Sequence, residues 1–347
     1  LIQGSSPQVV ETPTAPPTET PTETPTATPT KPDTPPGTIR LTRFVEQTLK
    51  TSNANVLVDA AGGSHVAFYY YESTFDERPT GAVYAYCPSQ CEQADRWQQV
   101  QLAEEVNEVQ LALNPAGKPR LLIRTSSTIY PNGKDYHFAS CDGDCTQAGG
   151  WTVTYLLSSH GTASVDFQDD EMAQRSFALD PAGRPRFVYF DRNTIVEPDH
   201  LGAFYAFCDS ECTKQTSWQQ VRITVVIPTP FRMESISYPA LAFTPDGKPR
   251  LVTAEFFPLN DGEAMLTYFE CNDACGESEN WHKVSLQPRG FGSEPSADLA
   301  IDTNGRPRIA FYQEAMLDNQ GKQLFYLWCN DNCLEAASWQ TRDLGLN

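Results

Sequence analysis

The residues of this sequence best placed to do chemistry are ten cysteines at fixed spacing. They form five pairs, Cys87/Cys91, Cys141/Cys145, Cys208/Cys212, Cys271/Cys275 and Cys329/Cys333, and a tryptophan follows each pair by six positions: Trp97, Trp151, Trp218, Trp281 and Trp339. Zinc would need four ligands converging on one ion, and pairs set in separate repeats lie too far apart for that. A redox centre would want C-x-x-C. An even, regular set in an exported chain is instead a disulfide framework. The simplest pairing is within each C-x3-C, where a closed loop of about five residues contributes roughly 2 kcal/mol.

Other candidates have weaker patterns. Arg120, Arg186, Arg250 and Arg308 each follow a proline, with His65 at the fifth equivalent place. Such a set could clamp a carboxylate, but a residue required by every repeat is expected to be structural, pairing with Asp59, Asp180 or Asp302 or stacking on a tryptophan. The five tryptophans could form a sugar-binding ring; their fixed place favours packing between repeats. Trp328, beside Cys329, stands outside the pattern. Carboxylates cluster at Asp76 and Glu77 and at Asp166, Asp169, Asp170 and Glu171. A glycosidase needs two carboxylates facing each other across a sugar, and nothing in this spacing fixes such a pair. A structural calcium in the acidic loop lacks EF-hand spacing, so no cofactor is expected. His137, His160, His200 and His282 show no metal-ligand spacing, and G-x-S-x-G and phosphate-loop motifs are missing. No catalytic, cofactor-binding or metal residue is therefore assigned.

The cysteines belong to a longer repeat. Its first half reads NVLVDAAGGSHVAFY, LALNPAGKPRLLIR, FALDPAGRPRFVYF, LAFTPDGKPRLVTA and LAIDTNGRPRIAFY, with Gly62, Gly117, Gly183, Gly247 and Gly305 in the turn. The first cysteine follows the glycine by 24 or 25 residues in all five copies. Each copy reads as four short strands: an apolar run, a glycine turn, a second apolar run, an aromatic run into the first cysteine, and a run beginning at the tryptophan. Four strands per unit, repeated about an axis, predict an all-β, five-bladed β-propeller of four-stranded blades. The expected blades span about 52–105, 106–158, 174–227, 236–288 and 295–345. The apolar strand, D-x-x-G-x-P turn and apolar-aromatic strand resemble those of bacterial extracellular β-propellers of the sialidase-like and Asp-box group, over about residues 52–345. The full S-x-D-x-G-x-T-W box does not occur, so the resemblance implies fold rather than activity.

The blades follow a stalk. Residues 11–36 read ETPTAPPTETPTETPTATPTKPDTPP. This composition cannot bury enough apolar surface to offset its ordering, and its prolines favour extended polyproline II. Such Thr-Pro linkers resemble those of secreted proteins from filamentous, often thermophilic, bacteria. The segment 1–38 is expected to be a spacer, either unmodified or O-glycosylated at Thr12, Thr14, Thr18, Thr20, Thr22, Thr24, Thr26, Thr28, Thr30 and Thr34. Residues 39–51 are expected to form an additional strand that closes the ring or is donated to a neighbour. With Leu1 first and no leader, the chain reads as a mature exported form, extracellular or at the cell surface.

The formal net charge is −19, of which the stalk carries −3. So acidic a surface repels nucleic acid and anionic lipid, and no apolar run is long enough to insert in a membrane. Regular blades without a unique polar cluster predict a non-enzymatic surface protein. The first expectation is a structural or adhesive subunit of a fibre or coat, self-assembling through its N-terminal segment or binding surface glycans. A lectin-like propeller with Tyr130, Phe231 and Phe291 as loop aromatics is the alternative, and a glycan hydrolase or lyase stands third.

Overall fold

A computed structural model of the chain describes residues 49–72, 79–130, 133–160, 175–192, 201–225, 235–257, 263–315 and 322–345. These residues form the five-bladed β-propeller that the repeat predicts. Blade 1 is β1 (Leu49–Val58), β2 (Ser64–Glu72), β3 (Pro79–Cys87) and β4 (Gln98–Ala103). Blade 2 is β5 (Val106–Leu113), β6 (Pro119–Ser126), β7 (Lys134–Cys141) and β8 (Trp151–Ser159). Blade 3 is β9 (Phe177–Leu179), β10 (Pro185–Arg192), β11 (Leu201–Cys208) and β12 (Trp218–Val225). Blade 4 is β13 (Ser235–Phe243), β14 (Pro249–Phe257), β15 (Glu263–Cys271) and the first half of β16 (Trp281–Ile301). Blade 5 takes the second half of β16, then β17 (Pro307–Ala315), β18 (Lys322–Cys329) and β19 (Trp339–Asp343). Each sheet is an antiparallel meander, and β16 joins the last two into one seven-stranded sheet. Residues 49–51, expected in an additional strand, run without a break into β1, while the stalk and residues 39–48 lie outside the described residues.

Each blade is buried on two faces, which is why its second strand is a continuous apolar run. In β6, Leu121 and Ile123 pack toward blade 1 and Leu122 toward blade 3. We call the face toward the preceding blade the rear and the opposite one the front. Four apolar clusters fill the junctions from blade 1 through blade 5. Every cluster centres on the same pair. The front-face aromatic three residues before the first cysteine meets the rear-face tryptophan of the next blade: Tyr84–Trp151 at 5.0 Å, Phe138–Trp218 at 5.4 Å, Tyr205–Trp281 at 5.0 Å and Tyr268–Trp339 at 5.0 Å. The indole N–H is satisfied within its own blade by the carbonyl of the second cysteine, at 2.8–3.0 Å. Trp151, Trp218, Trp281 and Trp339 are therefore inter-blade packing residues, while Trp97 packs against Val66, Phe68, Val83 and Ala85 of its own blade.

The cysteines pair within each C-x3-C, giving disulfides Cys87–Cys91, Cys141–Cys145, Cys208–Cys212, Cys271–Cys275 and Cys329–Cys333. Each one staples the end of strand three to a single 3-10 turn that aims the tryptophan inward. At the same end of the blade, the turn between strands one and two is held by its leading polar residue. Asp180 Oδ1 accepts from the amides of Ala182 and Arg184 at 3.0 and 2.9 Å, and Asp59, Asn114 and Asp302 repeat the pattern. Gly183 closes that turn at φ +79, and a Cβ there would stand 2.8 Å from Pro115 of the previous blade, so only glycine fits.

Candidate functional site

The repeated arginines belong to the turn end of each blade. Their Nη1 groups donate to the carbonyls of Cys141, Cys208, Cys271 and Cys329. Their Nη2 groups reach Asp142, Asp209, Asn272 and Asn330. Arg186 and Arg308 also pair with Asp180 and Asp302, at 3.3 and 2.7 Å. In blade 1, His65 takes the place, bonded to Tyr84 Oη at 2.7 Å and Asp59 at 3.2 Å. The structural reading of these groups holds: each ties strand two to the end of strand three of its own blade. Asp76, Glu77, Asp166, Asp169, Asp170, Glu171, His200, Phe231 and all ten stalk threonines lie outside the described residues.

The opposite end of the propeller carries a group of residues that no sequence motif marks. One cross-strand row of blade 2 runs Glu108–Arg124–Tyr136 across β5, β6 and β7. The other four copies place Asn53, Gln174, Tyr238 and Ser296 nine residues before the turn glycine, where blade 2 has Glu108. Seven residues after the glycine they have Tyr69, Phe190, Ala254 and Tyr312, against Arg124. Five residues before the first cysteine they have Ala82, Ala203, Leu266 and Leu324, against Tyr136. Blade 2 alone is charged along this row, and the row is buried.

The row is an interacting set. Arg124 Nε lies 3.4 Å from Glu108 Oε2. Gln110 Nε2 donates to Glu108 Oε1 at 2.5 Å and lies 2.7 Å from Ser176 Oγ of the next blade. Arg124 stands directly across from Tyr136 on the neighbouring strand. Nε and Nη2 of Arg124 nonetheless have no hydrogen-bond acceptor among the described residues. Burial pushes Glu108 above the usual carboxylate range, despite opposing contributions from Arg124 and Gln110. Burial likewise raises the Tyr136 and Tyr189 hydroxyls, so both remain protonated donors. Tyr189 of blade 3 stands against Tyr136, ring centroids 5.4 Å apart.

A histidine–aspartate dyad lies at the rim of the same junction. His160 Nδ1 is 3.0 and 3.2 Å from the carboxylate oxygens of Asp191, whose Oδ1 also accepts the His160 amide at 2.9 Å. Asp191 is buried and His160 partly exposed. Tyr130 packs on the imidazole with centroids 3.8 Å apart. A carboxylate at Nδ1 holds the proton there and makes Nε2 the basic nitrogen. Among the described residues, no group of three or more His, Cys, Asp or Glu side chains could hold a metal ion.

The raised Glu108 sets a pH dependence. A carboxylate whose folded-state value exceeds its unfolded value contributes stability that is complete below the ordinary carboxylate range and is lost as pH rises through the raised value. Stability of the native chain is therefore expected to fall as pH rises above the ordinary carboxylate range, and Glu108→Gln to flatten that segment. Urea midpoints against pH check this; parallel curves for both proteins would remove Glu108 as the cause.

No protein-family model matches the chain, and no curated protein sequence matches it. Solved structures do. One is a polysaccharide lyase, a PL25 ulvan lyase bound to -[GlcA(1-4)Rha3S]-, with 12% identity, a TM-score of 0.51 and cover of 82% of this chain and 69% of that one. Another is the GH93 α-L-arabinofuranosidase of Fusarium graminearum with arabinobiose, with 10% identity, a TM-score of 0.47 and cover of 86% and 83%. A xylan β-1,4-xylosidase from Bacillus halodurans is 14% identical, with a TM-score of 0.42 and cover of 84% and 55%. At 12% identity and a TM-score of 0.51, the likeness to the ulvan lyase bears on the fold alone.

The expectation of a non-enzymatic fibre or coat subunit is corrected here. Its premise was that the blades carry no unique polar cluster, and the Glu108–Arg124–Tyr136 row with the His160–Asp191 dyad breaks the repeat at one junction. The solved structure that matches with a TM-score of 0.51 carries the name of a polysaccharide lyase, which belongs to the reading placed third from sequence.

Proposed function

We propose that this protein is an exported glycan-cleaving propeller whose reaction centre is the loop-bearing end of the junction between blades 2 and 3. The observation that carries the reading is the His160–Asp191 dyad, set beside the one charged row that departs from the blade pattern. Cleaving a glycosidic bond requires a proton to be moved at the sugar, and a histidine oriented by a buried carboxylate is suited to that task. Tyr130 places an aromatic face and a hydroxyl beside the imidazole. Glu108, Gln110 and Tyr136 are too buried to touch a polymer and act as positioning residues. Arg124 is buried with them, and its two N–H groups call for an acceptor that the described residues do not supply, which an ordered water would provide.

Between the two cleavage chemistries, elimination is the better fit. Hydrolysis with paired carboxylates needs two of them facing across the sugar. Among the described residues of this junction, Glu108 and Asp191 are both sequestered, each engaged by its own cation or imidazole. In elimination, Nε2 of His160 takes the C5 proton beside the carboxylate of a uronate, the C4–C5 double bond forms, the C4–O bond of the linkage breaks, and the leaving oxygen takes up a proton from the imidazolium or from water. The five disulfides fit an oxidising compartment outside the cytosol, and an acidic Thr/Pro-rich spacer fits display at or beyond the cell surface.

The test is a panel of uronate-containing and neutral polysaccharides, followed both by new reducing ends and by the ultraviolet absorbance of an unsaturated uronate. Both signals rising together on a uronate polymer is the expected result. Reducing ends without the absorbance would reassign the chemistry to hydrolysis. Neither signal on any polymer would end the enzymatic reading.

A further inference from the structure

Two segments meet over the His160–Asp191 dyad, and each has left its strand before it arrives. Tyr130 lies in the connection between β6, which ends at Ser126, and β7, which begins at Lys134. His160 directly follows β8, which ends at Ser159. Strand ladders therefore do not account for the Tyr130 ring standing on the imidazole. The first segment is folded on itself. Ser127 Oγ accepts from the amides of Ile129 and Tyr130 at 3.1 and 3.2 Å. Ser127 N donates to the Gly133 carbonyl and Gly133 N to the Tyr130 carbonyl, both at 2.9 Å. The segment also lies close against the end of β8, where a Cβ on Gly133 would stand 2.4 Å from the Ser159 carbonyl oxygen.

One buried side chain joins the two segments. Asp135 is 5% exposed and sits on the face of β7 opposite Tyr136. Its Oδ2 accepts from the amide of Thr128, at 3.3 Å, in the segment that carries Tyr130. Its Oδ1 accepts from the hydroxyl of Ser158, two residues before His160. Ser158 Oγ is in turn 2.7 Å from Tyr155 Oη, which anchors it to β8. Six residues before the first cysteine, where blade 2 has Asp135, the other copies have Gly81, Gly202, Met265 and Gln323. Four blades thus form without a carboxylate at this place, and burying one is costly unless its oxygens are engaged.

We propose that Asp135 is a positioning residue of the reaction centre, with one carboxylate oxygen on each segment, and that it seats the Tyr130 ring on the His160 imidazole. Its consequence for turnover rests on the reading of this junction as the reaction centre; the contact that it holds in place does not. Asp191 orients the imidazole from below, and Asp135 fixes what stands over it.

Proton resonances of the full chain with isotope-labelled histidine test the contact directly. An aromatic ring this close displaces the imidazole signals, and those of His160 are the ones missing from His160→Gln. Tyr130→Leu marks where they lie without the ring. An amide accepts at one atom and donates at the other, so Asp135→Asn cannot serve both segments. It is expected to move the His160 signals most of the way to their Tyr130→Leu positions, with the signals of His65 and His282, in blades 1 and 4, unmoved. Ser158→Ala removes one arm and keeps the carboxylate; it is expected to move them part of the way, and it carries the same test should Asp135→Asn not fold. On a polymer that the wild type cleaves, Asp135→Asn is expected to lower kcat about 10²-fold with KM little changed. His160 signals unmoved in both variants would overturn the proposal, and so would moved signals with full turnover. Moved signals in a protein that cleaves no polymer would uphold the contact and end the reaction reading alone.

Discussion

Replacing His160 with alanine is expected to lower kcat on a cleavable glycan by about 10²–10⁴-fold, with KM changed much less. The side chain sits at the rim of the blade 2–blade 3 junction, partly exposed, so its loss removes little packing. What it removes is the one imidazole held by a buried carboxylate at that end of the propeller among the described residues. Asp191→Asn separates orientation from charge. The amide keeps the size of the carboxylate but can donate to the ring, which stabilises the wrong tautomer and leaves an emerging imidazolium without its counter-charge. Its effect is expected to approach that of His160→Ala. Arg124→Lys adds a third arm, because lysine keeps the charge near Glu108 but lacks the planar fork set between Glu108 and Tyr136 in the row. A pure positioning role predicts that Arg124→Lys alters the pH profile and kcat together while glycan binding survives. Full turnover in the His160→Ala protein would remove the dyad from the reaction and, with it, the assignment of this junction as the reaction centre.

The fold was legible in the sequence because a propeller forces its blades into register. Trp151, Trp218, Trp281 and Trp339 must all meet the same neighbour at the same height, so any drift in spacing would misplace an indole by several ångströms. The disulfides were legible for the same reason. The reaction centre was not, because it consists of departures from the repeat. Glu108, Arg124 and Tyr136 are each ordinary strand residues when taken singly, spaced 16 and 12 residues apart in positions that four other copies fill with other residues. The signal was available only by reading the copies column by column and asking where one blade turns charged in a place the others keep uncharged. His160 could not be found even so. It belongs to the inter-blade connection, its partner Asp191 ends a strand of the next blade, and no spacing rule joins them.

Trp281→Ala is expected to destabilise the protein by about 3–5 kcal/mol. Trp281 is buried at the junction of blades 3 and 4, packed at an angle on Tyr205, in a cluster with Val188, Leu251 and Phe269. Deleting the indole leaves a cavity lined by two blades whose backbones are fixed by their own hydrogen-bond ladders, so neither can collapse into the space. It also leaves the Cys275 carbonyl without the donor that it now receives at 3.0 Å. A conservative Trp281→Phe should recover most of the packing but not that hydrogen bond, leaving a deficit of roughly 1–2 kcal/mol. Urea unfolding of the three proteins, with the disulfides intact, orders them as wild type, then Trp281→Phe, then Trp281→Ala. The competing account, in which the tryptophans form a sugar-binding ring, makes the opposite forecast. It requires Trp281→Ala to fold with near wild-type stability and to lose affinity for glycan. Equal unfolding midpoints for wild type and Trp281→Ala would therefore refute the packing role directly, because a residue that wedges two sheets apart cannot be removed without the sheets registering its loss.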